Sequence, residues 1–131
     1  MRKTCLNSVY KLAKKNKKIS INSNLTSLAP LILKADLAFG ASGSTSWERC
    51  CLGLPSIVIT VAENQKPIAK ELSRKGLIHL LGHYDEIKSN SIYNAMEAFI
   101  EKKLVNWSED CKLLTDGSGT KKVATILEES L

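Results

Sequence analysis

Two hydrophobic periods alternate along the chain, one typical of helices and one typical of buried strands. Residues 57–61 form an uninterrupted β-branched, apolar run, the pattern of a strand buried on both faces of a parallel sheet. Residues 44–52 read as a helix, because Gly53 follows them and Pro55 lies just beyond. Strands alternating with helices at this short spacing predict an α/β fold with a parallel sheet and right-handed crossovers.

The same patterns predict the remaining elements. A helical pattern over residues 25–32 contains Pro30, so that helix should begin late, near Ser27, or be kinked. Further strands are predicted at residues 19–21, 35–40 and 77–81, and further helices at residues 5–15, 67–75, 91–104, 106–114 and 120–131.

The length of 131 residues suits one domain, predicted here as residues 1–131. Neither an apolar leader at the start nor a stretch long enough for a membrane span is found. These features predict a cytoplasmic domain without a membrane span.

The net charge of +6 comes from one end of the chain. Residues 1–35 carry eight basic side chains and no acidic one, whereas the remainder holds 11 basic and 13 acidic residues. Aromatic residues make up only 5% and are not interleaved with the basic cluster, so platforms for stacking bases are missing. We expect no nucleic-acid partner. The basic cluster is a solvated helix face, or a face left bare by a missing neighbour.

Cysteine and histidine residues offer little chemistry by their spacing. The cysteines lack C-x-x-C spacing and are predicted to be small core residues rather than zinc ligands or disulfides: Cys5, Cys50, Cys51 and Cys111. His79 is predicted to be a satisfied core histidine. No acidic cluster appears, so neither a metal nor a cofactor is expected.

The loop at residues 40–45 is the first candidate for binding chemistry. It leaves an apolar strand, contains Gly40 and Gly43 among hydroxyl side chains, and opens a helix. Glycines allow an anion to approach the backbone, and a helix start offers unpaired N–H groups and the positive end of the helix dipole. A phosphate or diphosphate is the predicted ligand. The motif is neither a Walker loop nor G-x-G-x-x-G.

Two polar constellations each have a structural and a functional interpretation. Thr45 and Glu48 match a capping box, yet Glu48 is also placed to accept hydrogen bonds from ribose hydroxyls. Asn64 and Gln65 follow the buried strand, where their amides suit the hydroxyl and acetamido groups of a sugar. Asn64 is equally suited to capping the next helix, and spacing alone favours the cap.

These motifs together resemble a known family. The element Gly43-Ser44-Thr45-x-Trp47-Glu48 and the element Glu63-Asn64-Gln65, at this separation, are similar to the C-terminal domain of UDP-2,4-diacetamido-2,4,6-trideoxy-beta-L-altropyranose hydrolases of pseudaminic acid synthesis. The segment Asp116-Gly117-Ser118-Gly119, with Val123 after it, resembles that family's entry into its C-terminal helix. The resemblance implies a Rossmann-like parallel sheet flanked by helices, forming the C-terminal half of a glycosyltransferase-B fold.

The resemblance also implies roles for individual residues. Diphosphate contacts fall on Gly43, Ser44 and Thr45, ribose contacts on Glu48, and sugar or distal phosphate contacts on Asn64 and Gln65. The uracil is expected near residues 22–24. Ser42 is a departure, because the family usually has a second consecutive glycine there, and a Cβ could crowd the phosphate.

No catalytic residue is assigned, because the family's water-activating histidine lies in an N-terminal half that this chain lacks. His83 follows a glycine as that histidine does, but lies too late in the chain to inherit its role. The sequence therefore predicts the UDP-sugar-binding half of a hydrolase, inactive without an N-terminal-half partner. The alternatives are the donor-binding half of a UDP-sugar glycosyltransferase and a non-catalytic nucleotide-binding remnant.

Overall fold

A three-stranded parallel sheet lies at the centre of the computed structural model, which describes residues 2–101 and 106–130. The strands are β1 (Ala38–Ala41), β2 (Ser56–Thr60) and β3 (His79–His83), in the spatial order β1-β2-β3. Parallel neighbours require crossover connections, which here are helical. The α/β class and the parallel sheet predicted from the sequence are confirmed.

Helices account for most of the remaining described chain. They are α1 (Arg2–Lys15), α2 (Ala29–Ile32), α3 (Ser44–Cys51), α4 (Lys66–Arg74), α5 (Ser89–Glu101), α6 (Trp107–Leu114) and α7 (Gly119–Glu129). Helix α4 packs on β2 and β3, α5 packs on β3, and α6 packs on α3.

Strand β2 carries the centre of the core. Ile57 and Val58 are almost completely buried, and only Ile59 in this strand retains partial exposure. A central strand covered on both faces reads as an uninterrupted apolar run, which is why its pattern located it to within one residue. Ala69 and Leu72 of α4 complete this part of the core.

The Leu77 carbonyl fixes α6 against the rest of the core. It accepts hydrogen bonds from Trp107 Nε1 at 2.8 Å and from Cys111 Sγ at 3.2 Å. Cys50 and Cys111 are buried free thiols in the same cluster, and Cys51 is a half-buried free thiol. The prediction of core cysteines is confirmed for Cys50 and Cys111, whereas the side chain of Cys5 lies outside the described residues.

The structure contradicts two local predictions and confirms a third. Residues 19–21 have no regular secondary structure, and neither edge of the described sheet, β1 or β3, pairs with them. Strand β1 begins at Ala38, three residues later than predicted. Helix α2 begins at Ala29, whose N–H bonds Ser27 Oγ at 3.1 Å, so the late start predicted from Pro30 is confirmed.

Gly53 ends α3 where the sequence predicted a stop. Its φ of 71° lies in the left-handed region, which glycine adopts without strain. A Cβ at this position would lie 2.5 Å from Lys112 Cε and 2.7 Å from Ser108 Oγ. Helix α6 can therefore approach the end of α3 closely only because residue 53 has no side chain.

The two terminal helices leave apolar side chains in solvent. The exposed apolar residues are Leu6, Val9 and Tyr10 of α1, and Val123, Ile126 and Leu127 of α7.

Ahead of α7, the hydroxyl and backbone of Ser118, together with Lys122, hold the pKa of Asp116 well below its usual value. Across residues 2–101 and 106–130, none of the helices has both the length and the apolar character that crossing a bilayer requires.

Ile57→Val is expected to lower the free energy of unfolding by about 1 kcal/mol, the usual effect of deleting one buried methylene. Ile57 is only 1% exposed, so the gap cannot be filled by water or by surface rearrangement. Chemical denaturation measures the effect. Ile126→Val is the matched control, because Ile126 is 61% exposed and its change should stay within roughly 0.5 kcal/mol. Equal losses in the two variants would contradict the placement of Ile57 in the core.

Candidate functional site

The candidate site lies at the carboxyl edge of the sheet, where parallel folds usually bind ligands. Ala41 is level with Ile59 in β2, and Ile59 with Gly82 in β3, so the three strand ends share one edge. The N–H of Ser42 donates to the Ile59 carbonyl at 2.8 Å, which extends the pairing by one residue. The turn into α3 is thereby fixed against β2.

Helix α3 begins with its first N–H groups free of side-chain caps. The capping residue is Gly43, which has no side chain, and its carbonyl accepts the Ser46 N–H at 3.0 Å. The alternative capping box of Thr45 with Glu48 is not formed, because the helix starts one residue before Thr45. Glu48 is exposed, and its carboxylate makes no hydrogen bond or ion pair to the described residues. The helix start is thus available to an anion.

A one-turn 3-10 helix, Glu63–Gln65, follows β2 and shapes the second constellation. The Gln65 side chain folds back, and its Oε1 accepts the Val61 N–H at 2.9 Å. The residue capping α4 is Gln65 rather than Asn64, so the predicted Asn64 cap is wrong. Its physical reason is the 3-10 turn, which delays the start of α4 until Lys66. The Asn64 side chain is exposed.

The two constellations meet at Gly43 and Gln65. Gln65 Nε2 lies 3.9 Å from the point that a Cβ on Gly43 would occupy. Because Oε1 of the same amide is engaged by Val61, the Nε2 donor is the end turned toward the loop. Residues 22–24 make no hydrogen bond to this loop in the described chain, although Asn24 has a left-handed φ of 54°.

Arg49 is a component of this region that sequence reasoning missed. It is 6% exposed, and its Nη2 donates to the Ala41 carbonyl and to Ser46 Oγ, both at 3.1 Å. Its Nη1 lies 3.0 Å from the position of a Cβ on Gly40, so the guanidinium lies directly against the strand end. Helical side chains lean toward the helix start, which lets a second-turn residue reach back to the loop.

Arg49 makes no ion pair in the part of the chain that the structure describes, and the Glu48 carboxylate acts on its charge only through space. The buried Nε of Arg49 has no hydrogen-bond partner among the described residues. Burial lowers the pKa of Arg49 from its usual value. The sequence around Arg49 gave no indication that this residue is buried, because lysine and arginine are ordinarily solvent-exposed.

Ser42 is also buried without a partner. It is 2% exposed, and its Oγ makes no hydrogen bond to any described residue. The sequence marked Ser42 as a residue that could crowd a phosphate, but its side chain is directed into the protein. Unpaired buried hydroxyls are rare, and they commonly mark a site completed by a ligand or water.

Further polar groups lie at the carboxyl ends of β2 and β3, and the sequence gave no indication that they are close together. Thr60 Oγ1 lies 2.9 Å from His83 Nδ1, and both residues line a cavity of about 180 Å³ with Lys66, Lys70 and Glu86. An irregularity in the β2–β3 register, between Val58 and Ile59, precedes this end. His79, predicted to be a core histidine, is exposed, because it is the first residue of β3 and β3 is an edge strand of the described sheet.

No group of three or more potential metal-ligating side chains occurs within residues 2–101 and 106–130. The polar groups at the loop are the backbone N–H groups of the α3 start and the Gln65 amide, with the Arg49 guanidinium behind the strand end. Backbone N–H groups at helix starts are common phosphate-binding groups in proteins.

Comparison with known proteins yields one distant relative of note. The chain is 27% identical over 104 residues to the spore coat polysaccharide biosynthesis protein SpsG of Bacillus subtilis (strain 168). The aligned part is 78% of this chain but only 31% of that protein, so the chain spans about a third of its relative. No family model matches the chain, and no solved structure matches it. The sequence is thus distantly similar to a protein of polysaccharide biosynthesis.

Proposed function

We propose that this chain is the nucleotide-sugar-binding half of a hydrolase that releases UDP and a diacetamido-trideoxy sugar from the UDP-sugar. The observation that carries the proposal is the approach of Gln65 Nε2 to Gly43. It brings a side-chain amide suited to binding a sugar beside a helix start that no side chain caps. The distant similarity to a polysaccharide biosynthesis protein supports a role in sugar biosynthesis.

Each predicted residue has a physical task in this proposal. The N–H groups of Ser44 and Thr45 at the start of α3 hold the diphosphate, and Gly43 leaves room for it. Glu48, exposed one turn further along α3, accepts hydrogen bonds from the ribose hydroxyls. Gln65 and Asn64 bind the sugar or the distal phosphate through their amides.

The chemical step requires a group that this half does not contribute. Hydrolysis breaks the bond between the sugar and the distal phosphate, and the water that attacks must lose a proton to a base. We assign that base to a second, N-terminal lobe, which also closes the cleft and excludes bulk water. The family resemblance implies that the proposed partner is a lobe bearing a Gly-rich loop with a histidine, and the ligand shared between the lobes is the UDP-sugar.

Titration calorimetry with UDP tests the binding role. We expect a dissociation constant between micromolar and millimolar for the unmodified chain. Glu48→Ala should weaken binding about tenfold through the loss of charged hydrogen bonds to the ribose. Thr45→Val should weaken it about threefold, because valine keeps the backbone N–H but removes the hydroxyl as a second donor to the diphosphate. Deoxyuridine diphosphate should bind the unmodified chain worse than UDP.

Two controls make this test specific. Glu128→Ala removes an exposed carboxylate on α7, which carries none of the predicted site residues, and should leave UDP affinity unchanged. Equal affinity for UDP and its deoxy analogue would refute the ribose role of Glu48. Addition of a complementary lobe then separates the enzyme classes, because a hydrolase releases UDP with water alone, whereas a transferase requires a sugar acceptor. An absence of UDP binding would leave only the non-catalytic remnant.

A further inference from the structure

We propose that Arg49 is a buried positive charge held for a bound phosphate group, so that ligand-free protein carries a buried charge without an ion-pair partner, which a bound diphosphate stabilises. This inference rests on the proposed UDP site. It goes beyond that site by adding a positioning residue which binds no ligand atom itself and acts through the backbone of the loop at residues 40–45.

The first argument is the environment of the Arg49 side chain, which is 6% exposed. Besides Thr45, the cavity that Arg49 lines is surrounded by apolar side chains, and its volume is about 190 Å³: Leu28, Leu31, Ile32, Ala35, Leu37, Ala38 and Leu54. A charge in such surroundings is poorly screened, and buried charges in proteins are ordinarily paired. Arg49 has only neutral acceptors, the Ala41 carbonyl and Ser46 Oγ.

The second argument is the direction in which this charge acts. The guanidinium lies against the backbone of Gly40 and Ala41, immediately before the turn that enters α3. Its charge therefore adds to the positive end of the α3 dipole rather than opposing it. A nearby anion gains from both, because electrostatic interactions strengthen where solvent is excluded.

The third argument is that the two unsatisfied buried groups of the described chain lie in the same loop and helix. They are Ser42 Oγ and Arg49 Nε. If Arg49 only held the loop in place, its side chain would be expected to make all of its hydrogen bonds within the protein. An incompletely paired charge beside an open helix start indicates a site whose electrostatic field favours a negatively charged ligand.

The thermodynamic consequence is a linkage between stability and anion binding. A ligand that binds only the folded protein raises the melting temperature, by roughly 8–15 °C at a ligand concentration a hundred times the dissociation constant. In this protein that shift should depend on the charge of residue 49. UDP and inorganic pyrophosphate are the probes, because they share the diphosphate.

The test compares Arg49→Met, Arg49→Gln and Arg49→Lys with the unmodified chain. Methionine removes charge and donors, glutamine removes only the charge, and lysine keeps the charge. We expect UDP affinity to fall at least roughly thirtyfold in the methionine and glutamine variants and to be partly retained with lysine. Without ligand, the neutral variants should melt at or above the temperature of the unmodified chain. Arg74→Met, which removes an exposed arginine paired with Glu71, is the control.

The outcomes separate this inference from the proposed function. If the unmodified chain binds neither UDP nor pyrophosphate, the UDP site itself is refuted. If it binds UDP but the neutral variants bind equally well, only the role of Arg49 is overturned. The same follows if both neutral variants melt lower without ligand, or fail to fold, because Arg49 would then be a structural strut.

Discussion

Gly43→Val should abolish measurable UDP binding, weakening it more than roughly a hundredfold, while leaving the fold intact. The reason is that Gly43 caps α3 at the point where a diphosphate must approach the backbone. Its φ of 165° is extended backbone that any residue adopts, and the nearest atom to a new Cβ is Gln65 Nε2 at 3.9 Å. Valine thus fits the ligand-free loop but fills the space proposed for the phosphates.

Thermal unfolding and calorimetry on the same samples check this separation of folding from binding. Gly119→Val is the matched control, because nothing lies within 4 Å of a Cβ at Gly119 and that residue starts a different helix. It should bind UDP as the unmodified chain does. A Gly43→Val protein that melts normally and still binds UDP would show that the start of α3 is not the diphosphate site.

Gln65→Glu should weaken UDP binding roughly a hundredfold through charge alone. Glutamate has the shape of glutamine, so one carboxylate oxygen can still accept the Val61 N–H that Oε1 accepts now at 2.9 Å. The other oxygen replaces the Nε2 donor that lies near Gly43. A negative charge there repels the diphosphate, and the effect should diminish as salt is raised.

Asn64→Asp provides the comparison for that charge change. It introduces the same charge one residue earlier, on a side chain that is exposed. We expect its effect on UDP affinity to be at least several times smaller than that of Gln65→Glu. Equal effects at positions 64 and 65 would indicate a general electrostatic influence on the site and would contradict a specific place for Gln65 beside the phosphates.

Sequence patterns located the strands and helices of this chain most accurately where those elements are buried. Strand β2 and helix α3 were located within one residue, because burial on both faces and a glycine stop leave a strong local signal. The predicted strand at residues 19–21 failed because a strand requires a partner, and its short apolar run could not show that none lies beside it. Edge strand β1 was misplaced for a related reason, since half of its residues face solvent.

The candidate site was predictable in composition but not in geometry. Spacing identified the loop and the amide pair, since both follow strands whose carboxyl ends share one edge. It could not show the inward direction of Ser42, or the contact of Thr60 with His83, which are 23 residues apart in sequence. It also missed Arg49, because no local pattern distinguishes a buried arginine from an exposed one.

The hydrogen bond from Trp107 to the Leu77 carbonyl has a practical consequence for experiments on this protein. The chain has only two tryptophans, and they lie in different surroundings. Trp107 is partly buried against the core and fixed by that bond, whereas Trp47 is 41% exposed on the helix that begins at the candidate site. We therefore expect their intrinsic fluorescence to report two separate events: emission from Trp107 should follow the docking of α6, and the redder emission from Trp47 should respond to a ligand bound at the proposed site.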